Sequence, residues 1–399
     1  MFVDAPFFVS SLPMKRRTFY LSLGACALSA TSCRRMDWPT VHALWISRFA
    51  YQSPDDLVRI MRHAVEMGFT DIFFQVRAKG TVYYPSQHEP WAYELTSTNP
   101  ADTGVDPGWN PLQTALDAAH RQGLRLHAYV NVLPGWHGYA DPPAESGQHW
   151  VHHPDWFMVD RMGLRMDSTR WYSFLNPAHP AVRRHLRRLF RELAAFPVDG
   201  IHLDYIRYPD DFHEVAPALF PQADSAELKA HCDFSYDPFS LDQFGADPVD
   251  QPQAWNRFRR SMVTRLVGEL SDAVRQVAPR LKLSASVIAR PDQRPETFQE
   301  GHRWGRKRWV DWVVPMMYST RNFEDTLRWN IAKLGRRRCA EQLVVGVYAK
   351  HPTATLVAQV KAAKKCRVRG VAVFSYEALV QGNKKTAKGE ALRRCLLAE

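Results

Sequence analysis

Eight short apolar-rich stretches recur along this chain, and each is followed by a segment of helical periodicity. The strand candidates are 41–47, 71–77, 125–131, 198–204, 282–287, 311–318, 343–348 and 370–376. Helical patterns fall near 54–67, 111–122, 180–195, 253–277, 296–307, 323–334, 353–365 and 386–397. In the third, Val182, Leu186, Leu189, Phe190 and Leu193 form one apolar stripe. Ser53-Pro54 and Asn110-Pro111 are helix starts, a capping side chain before a proline in the first turn. Gly68 and Gly123 end the first two helices. Strict alternation of eight strands with eight helices predicts an α/β fold, a single (β/α)8 barrel over residues 41–399. The helix-to-strand links are short (68–70, 123–124, 196–197), whereas three strand-to-helix links are long (78–110, 132–179, 205–252). Those after strands 2, 3 and 4 all fall on the face that barrels use for chemistry. No internal repeat or linker marks a second domain.

Residues 1–40 read as an export leader and are set aside from the fold. Met14-Lys-Arg-Arg-Thr-Phe-Tyr20 is a basic start, followed by the apolar 21–30. Arg16-Arg17 resembles a twin-arginine signal, and both Cys33 and Cys26 sit where a lipoprotein could be processed. The expected location is the periplasm or cell envelope, with a lipidated cysteine as the one route to membrane association. No later stretch reaches the ~18 apolar residues of a membrane span. A hydrophobic content of 45% suffices for a large core and excludes disorder. The net charge of +11 favours anionic surroundings. Its clusters fall on helix faces and no nucleic-acid module is present, so nucleic acid is not an expected partner. Beyond the leader lie Cys232, Cys339, Cys366 and Cys395. An oxidising compartment would allow one or two disulfides, of open pairing. No zinc-ligand spacing occurs, and neither a metal nor a cofactor is expected.

The segment 198–209 is the centre of the candidate site. Ile201 and Leu203 share one strand face; Gly200, His202 and Asp204 share the other. The same parity sets Phe73, Gln75 and Arg77, then His127, Tyr129 and Asn131, then Ser284 and Ser286, against apolar partners. With the apolar sets facing the helices, Arg77, Asn131, Asp204 and Ser286 point into the barrel rim. An internal hydrogen-bond network is the alternative use of such residues, and pairing with Arg207 is the alternative for Asp204.

The long links are rich in aromatics, among them Trp91, Trp136 and Tyr172, whose faces suit stacking on sugar rings. Glycoside hydrolysis needs two carboxyl groups across the scissile bond. Asp204 is the first. The second stays open between Glu377, directly after strand eight, Glu89 in Ser86-Gln-His-Glu-Pro-Trp91, and Asp292 after strand five. Capping a helix is the alternative role of Glu377. Arg77 would lower the Asp204 carboxyl pKa and burial would raise it.

Gln75-Val-Arg77, Tyr84-Pro-Ser86, Glu89-Pro-Trp91, Pro107-Gly-Trp-Asn-Pro-Leu112, Asn176-Pro177, Asp199-Gly-Ile-His-Leu-Asp-Tyr205, Tyr208-Pro209 and Asp311-Trp-Val-Val-Pro-Met-Met-Tyr318 resemble, in order, the glycosyl-hydrolase-like 10 family. The resemblance covers roughly residues 40–380. It implies an exported bacterial barrel linked to envelope glycans, with Asp204 as an active-site acid and Arg77, Asn131 and Tyr318 in the pocket. His202, Trp91, Trp136 and Tyr205 complete the expected substrate contacts. Tyr205 stands where family members commonly carry a second Asp. A weaker likeness to family-18 chitinases rests on Asp199 and Asp204; His202 and Ile206 break that signature, and its catalytic Glu is missing. The expected activity is hydrolysis of an envelope polysaccharide such as the peptidoglycan backbone. The alternative is a glycan-binding barrel without turnover. A metal-dependent hydrolase is disfavoured, because His42 begins strand one and His127 and His202 are mid-strand.

Overall fold

Parallel strands cannot be joined by a tight turn, so a chain of alternating strands and helices must cross over once per pair. The computed structural model describes residues 40–398; the expected leader, with Cys26 and Cys33, lies outside them. The strands are β1 (Val41–Ile46), β2 (Asp71–Arg77), β3 (Arg125–Asn131), β4 (Gly200–Asp204), β5 (Lys282–Ile288), β6 (Trp312–Met316), β7 (Val344–Tyr348) and β8 (Gly370–Phe374). They close into one barrel in chain order, with Val41 of β1 beside Gly370 of β8. The crossover helices are α1 (Pro54–Glu66), α2 (Pro111–Arg121), α3 (Pro180–Ala194), α4 (Pro252–Val277), α5 (Gly301–Arg306), α6 (Phe323–Leu334) and α7 (Thr353–Lys365), and α8 (Ala387–Leu397) follows the last strand. The chain is therefore a (β/α)8 barrel with long links after β2, β3 and β4.

Local chemistry sets the helix ends. Ser53 and Asp56 form a reciprocal capping box on α1, and Asn110 accepts from Gln113 N–H at the start of α2. Gly68 and Gly123 follow these two helices with φ of +82° and +73°, a conformation that favours glycine. The apolar stripe of α3 is fully buried. Sequence periodicity extended α5 too far back: Pro295–Thr297 form a separate turn, and Phe298 at φ +54° breaks it from Gly301. Three helices, Phe212–Leu219, Ser225–His231 and Pro238–Phe244, fold within the link after β4. Arg336–Gln342 adds another before β7.

The apolar core lies mainly between barrel and helices. Inside the barrel, Trp45, Phe73, Tyr129, Trp312 and Val314 pack together. Several polar groups on this inner face bind one another: Asp71 binds Arg125 and His127, and His202 binds Ser284 and Ser286. Cys232, Cys339, Cys366 and Cys395 are free thiols, so the disulfides allowed by the sequence do not form. Among the described residues no helix is long and apolar enough to cross a membrane.

Candidate active site

Inward-facing residues at the C-terminal ends of the strands open into a cleft of about 1020 Å³. Asn131, Asp204, Met316 and Phe374 line it from β3, β4, β6 and β8, and the segments beyond the strands add Ser47, Tyr205, Arg207, Tyr318 and Glu377. Asp204 is buried at its base. Tyr205 N–H donates to Asp204 Oδ1 at 2.7 Å, the Tyr129 hydroxyl donates to Oδ2 at 3.1 Å, and Arg207 Nη1 lies 3.3 Å from Oδ1. Tyr205 has φ +48°, a strained setting for a tyrosine, at the point where the strand ends and its amide meets the carboxyl. Burial raises the Asp204 pKa above its ordinary value, and Arg207 and the two hydrogen bonds only partly oppose this. A carboxyl of this kind holds a proton for longer as pH rises.

In the eight-strand ring, β4 and β8 stand on opposite sides. Asp204 and Glu377 therefore enter the cleft from opposite walls. Glu377 is solvent-exposed and accepts a hydrogen bond from the Ser47 hydroxyl just beyond β1. Between them runs an aromatic wall: Tyr318 lies 5.3 Å from Tyr348 and 6.0 Å from Phe374, both near-parallel. Burial, followed by the charge of Asp204, holds the Tyr318 phenol protonated. Asn131 Oδ1 is buried without a hydrogen-bond partner, an acceptor available to a ligand hydroxyl.

Other expected site residues lie elsewhere. Arg77 and Glu89 do not line the cleft. The β2–β3 register shifts between Gln75 and Arg77, so Arg77 sits beside Val130 rather than Asn131. This bulge takes Arg77 out of the inward parity. Its guanidinium instead grips Glu89 at 2.7 and 2.8 Å and the backbone carbonyls of Asn131, Val132 and Pro134. Burial would raise the Glu89 carboxyl, but Arg77 and His185 outweigh it and hold it far below the usual carboxylate range. It is a poor proton donor. His202 is inside the barrel below the cleft, stacked on Phe73 at 4.0 Å. Burial and the neighbouring His127 keep its ring neutral. Trp136 is fully buried in the core, and Trp91 packs in the link after β2 without lining the cleft. Asp292 pairs with Arg290 at the surface.

Sequence reasoning passed over Asp210, Asp211 and Arg294. Asp210 binds Arg207 at 3.0 Å and Arg294 at 3.2 Å, so Arg207 is shared between two carboxylates. Burial and the charge of Asp210 raise the Asp211 carboxyl. For Asp210 and Asp211, the position directly after Tyr208-Pro209, where the strand has ended, was the available signal. Glu89 also meets His149 and His185, a grouping drawn from three distant segments that no local spacing reveals.

Comparison with known proteins agrees with this architecture. The catalytic domain of a β-amylase from Paenibacillus polymyxa superimposes with a TM-score of 0.57 at 10% identity, covering 89% of this chain and 97% of that domain. A β-galactosidase from Marinomonas ef1 gives 0.58 at 12% identity, covering 90% of this chain and 59% of that one. At such identity the likeness is one of fold. In sequence, glycosyl hydrolase YngK of Bacillus subtilis is 22% identical over 73% of this chain, and glycosyl hydrolase DigH of Escherichia coli K12 is 24% identical over 71%. The matches span only 53% and 63% of those relatives. The model of the family described as Glycosyl hydrolase-like 10 matches residues 31–366, and the chain belongs to that family.

Proposed function

We propose that the chain is an exported glycoside hydrolase that cleaves a bacterial envelope polysaccharide, the glycan strands of peptidoglycan. The observation that carries this reading is Asp204: a buried carboxyl of raised pKa at the base of an open aromatic cleft, with Glu377 on the opposite wall. Asp204 donates its proton to the leaving glycosidic oxygen. Glu377 is the second carboxylate, acting at the anomeric carbon directly or through water. Tyr318 and Phe374 present ring faces to the sugar, Tyr205 adds a further aromatic edge, and Asn131 Oδ1 accepts from a hydroxyl. The net charge of +11 suits an anionic wall, and a likeness to 16% of an S-layer-related protein of Niallia circulans, 25% identical over 60% of this chain, is consistent with an envelope setting. Export rests on the basic and apolar pattern of residues 14–30, and a lipid anchor on Cys33 or Cys26.

The test is sugar release by the purified chain from intact peptidoglycan and from glycan strands stripped of peptides, with Asp204→Asn and Glu377→Gln alongside. Cleavage lost in both variants supports the reading, and NMR of the first-formed anomer then assigns retention or inversion. Binding without cleavage, unaffected by Asp204→Asn, would instead make this a glycan-binding barrel. Fractionation of cells producing the chain with and without residues 1–40 tests export.

A further inference from the structure

Glu89, His149 and His185 converge from the link after β2, the link after β3 and helix α3. His185 Nε2 lies 2.9 Å from Glu89 Oε1 and 3.1 Å from His149 Nε2, and His149 Nε2 lies 3.8 Å from the same oxygen. The three residues are only 5%, 6% and 8% exposed, respectively. Three atoms able to offer a lone pair thus mark a small triangle. Zinc ligands at 2.0–2.1 Å in a tetrahedron are separated by about 3.3 Å, within the range of these three edges. We propose that this cluster is a structural site for a divalent transition metal, Zn²⁺ by its donor set, pinning the long link after β3 to α3 and to the link after β2.

The proton inventory favours a cation here. If His185 Nε2 carries a proton and gives it to Glu89, His149 Nε2 can only share that same proton. If His149 Nε2 donates to His185 Nε2 instead, two lone pairs face each other across the 2.9 Å between His185 and Glu89. A metal ion satisfies all three atoms as acceptors of one cation. The Trp156 ring lies 4.8 Å from His149 and 5.5 Å from His185 and walls one side of the triangle, and a water would complete the tetrahedron around the ion. Arg77 donates to both carboxylate oxygens of Glu89, Nε to Oε2 and Nη2 to the same Oε1 that faces the histidines, orienting the carboxylate while weakening its pull on a cation. None of the three ligands lines the cleft, so the site organises the fold and takes no part in the reaction there.

The experiment strips the full chain with chelator and titrates it with Zn²⁺ by calorimetry and with Co²⁺ by visible absorption. The wild type is expected to take up one equivalent, to show the intense d–d absorption of tetrahedral Co²⁺, and to melt at a higher temperature with metal. His149→Gln and His185→Gln should each weaken binding by about tenfold or more. Binding below one equivalent, or binding that both substitutions leave unchanged, would overturn the proposal. X-ray absorption of the Zn²⁺-loaded wild type needs no variant. Scattering from two imidazoles is expected, and its absence would equally remove the site.

Discussion

Arg77 and Glu89 form a bidentate ion pair, Nε to Oε2 at 2.7 Å and Nη2 to Oε1 at 2.8 Å, and neither side chain reaches solvent. A pair of this kind holds the links after β2 and β3 together. Removing one partner strands the other charge in the interior. Arg77→Met should lower stability by about 3–5 kcal/mol, and Arg77→Met with Glu89→Leu should recover part of the loss. Urea unfolding measures both. A single variant with an unchanged midpoint and abolished sugar release would instead return the pair to catalysis.

Asp204 should govern the alkaline limb of the pH–rate profile. Its protonated form is the active one, so activity falls as pH rises through its raised pKa. Tyr129→Phe deletes a hydrogen bond that favours the ionised form, which should move this limb to higher pH. Asp204→Asn should reduce kcat by about 10²–10⁴-fold. The linkage sign is also set. A carboxyl whose folded pKa is raised contributes stability that is complete below its unfolded value near 3.8 and is lost as pH rises through the folded value. Asp204→Asn should therefore unfold no earlier than wild type at pH 7. Earlier unfolding would show Asp204 to be a structural partner of Arg207.

Glu377→Gln is expected to reduce kcat by roughly 10²-fold or more. Ser47→Ala, which removes only the hydroxyl bonded to Glu377, should reduce it by about 3–10-fold, the worth of one hydrogen bond. Asp211→Asn is the companion measurement. A larger loss there than in Glu377→Gln would reassign the second carboxylate to Asp211.

Acid should destabilise the protein through buried histidines. Burial pushes the His302 pKa down to about 4 and that of His149 to about 3. The folded state then binds fewer protons than the unfolded chain. This stability is complete above about 6.5 and is lost as pH falls through these lowered values. In chelator, the urea midpoint should fall steadily from pH 7 to pH 4, and His302→Gln should flatten the slope. A slope unchanged in that variant would place the acid sensitivity elsewhere.

Gly200 begins β4 against the His127 ring. A Cβ there would stand 2.1 Å from His127 Nδ1 and 2.9 Å from the Lys282 carbonyl oxygen. Gly200→Ala should lower stability by about 1–3 kcal/mol or more, as overpacking does in a closed barrel. Thermal melting checks this, and a midpoint within error of wild type would show that the His127 ring can move aside.

The sequence alone was enough to read the strand order, the helix starts at Ser53 and Asn110, and the inward face that carries Asn131, His202 and Asp204. Each of these depends on a periodicity of two, a periodicity of 3.6 or a capping side chain, all set by neighbours within a few residues. Tyr205, at the end of that reading, also proved to lie in the cleft. The same local rule failed at Arg77, because one register shift after Gln75 reverses a side chain without leaving a mark in the alternation. It misplaced Trp91 and Trp136, read as sugar contacts, since an aromatic ring suits a core as well as a sugar. It could not bring Glu89, His149 and His185 together, nor set Glu377 opposite Asp204. Those neighbours are separated by tens of residues or more. Only barrel closure and the paths of the long links decide which of them share space.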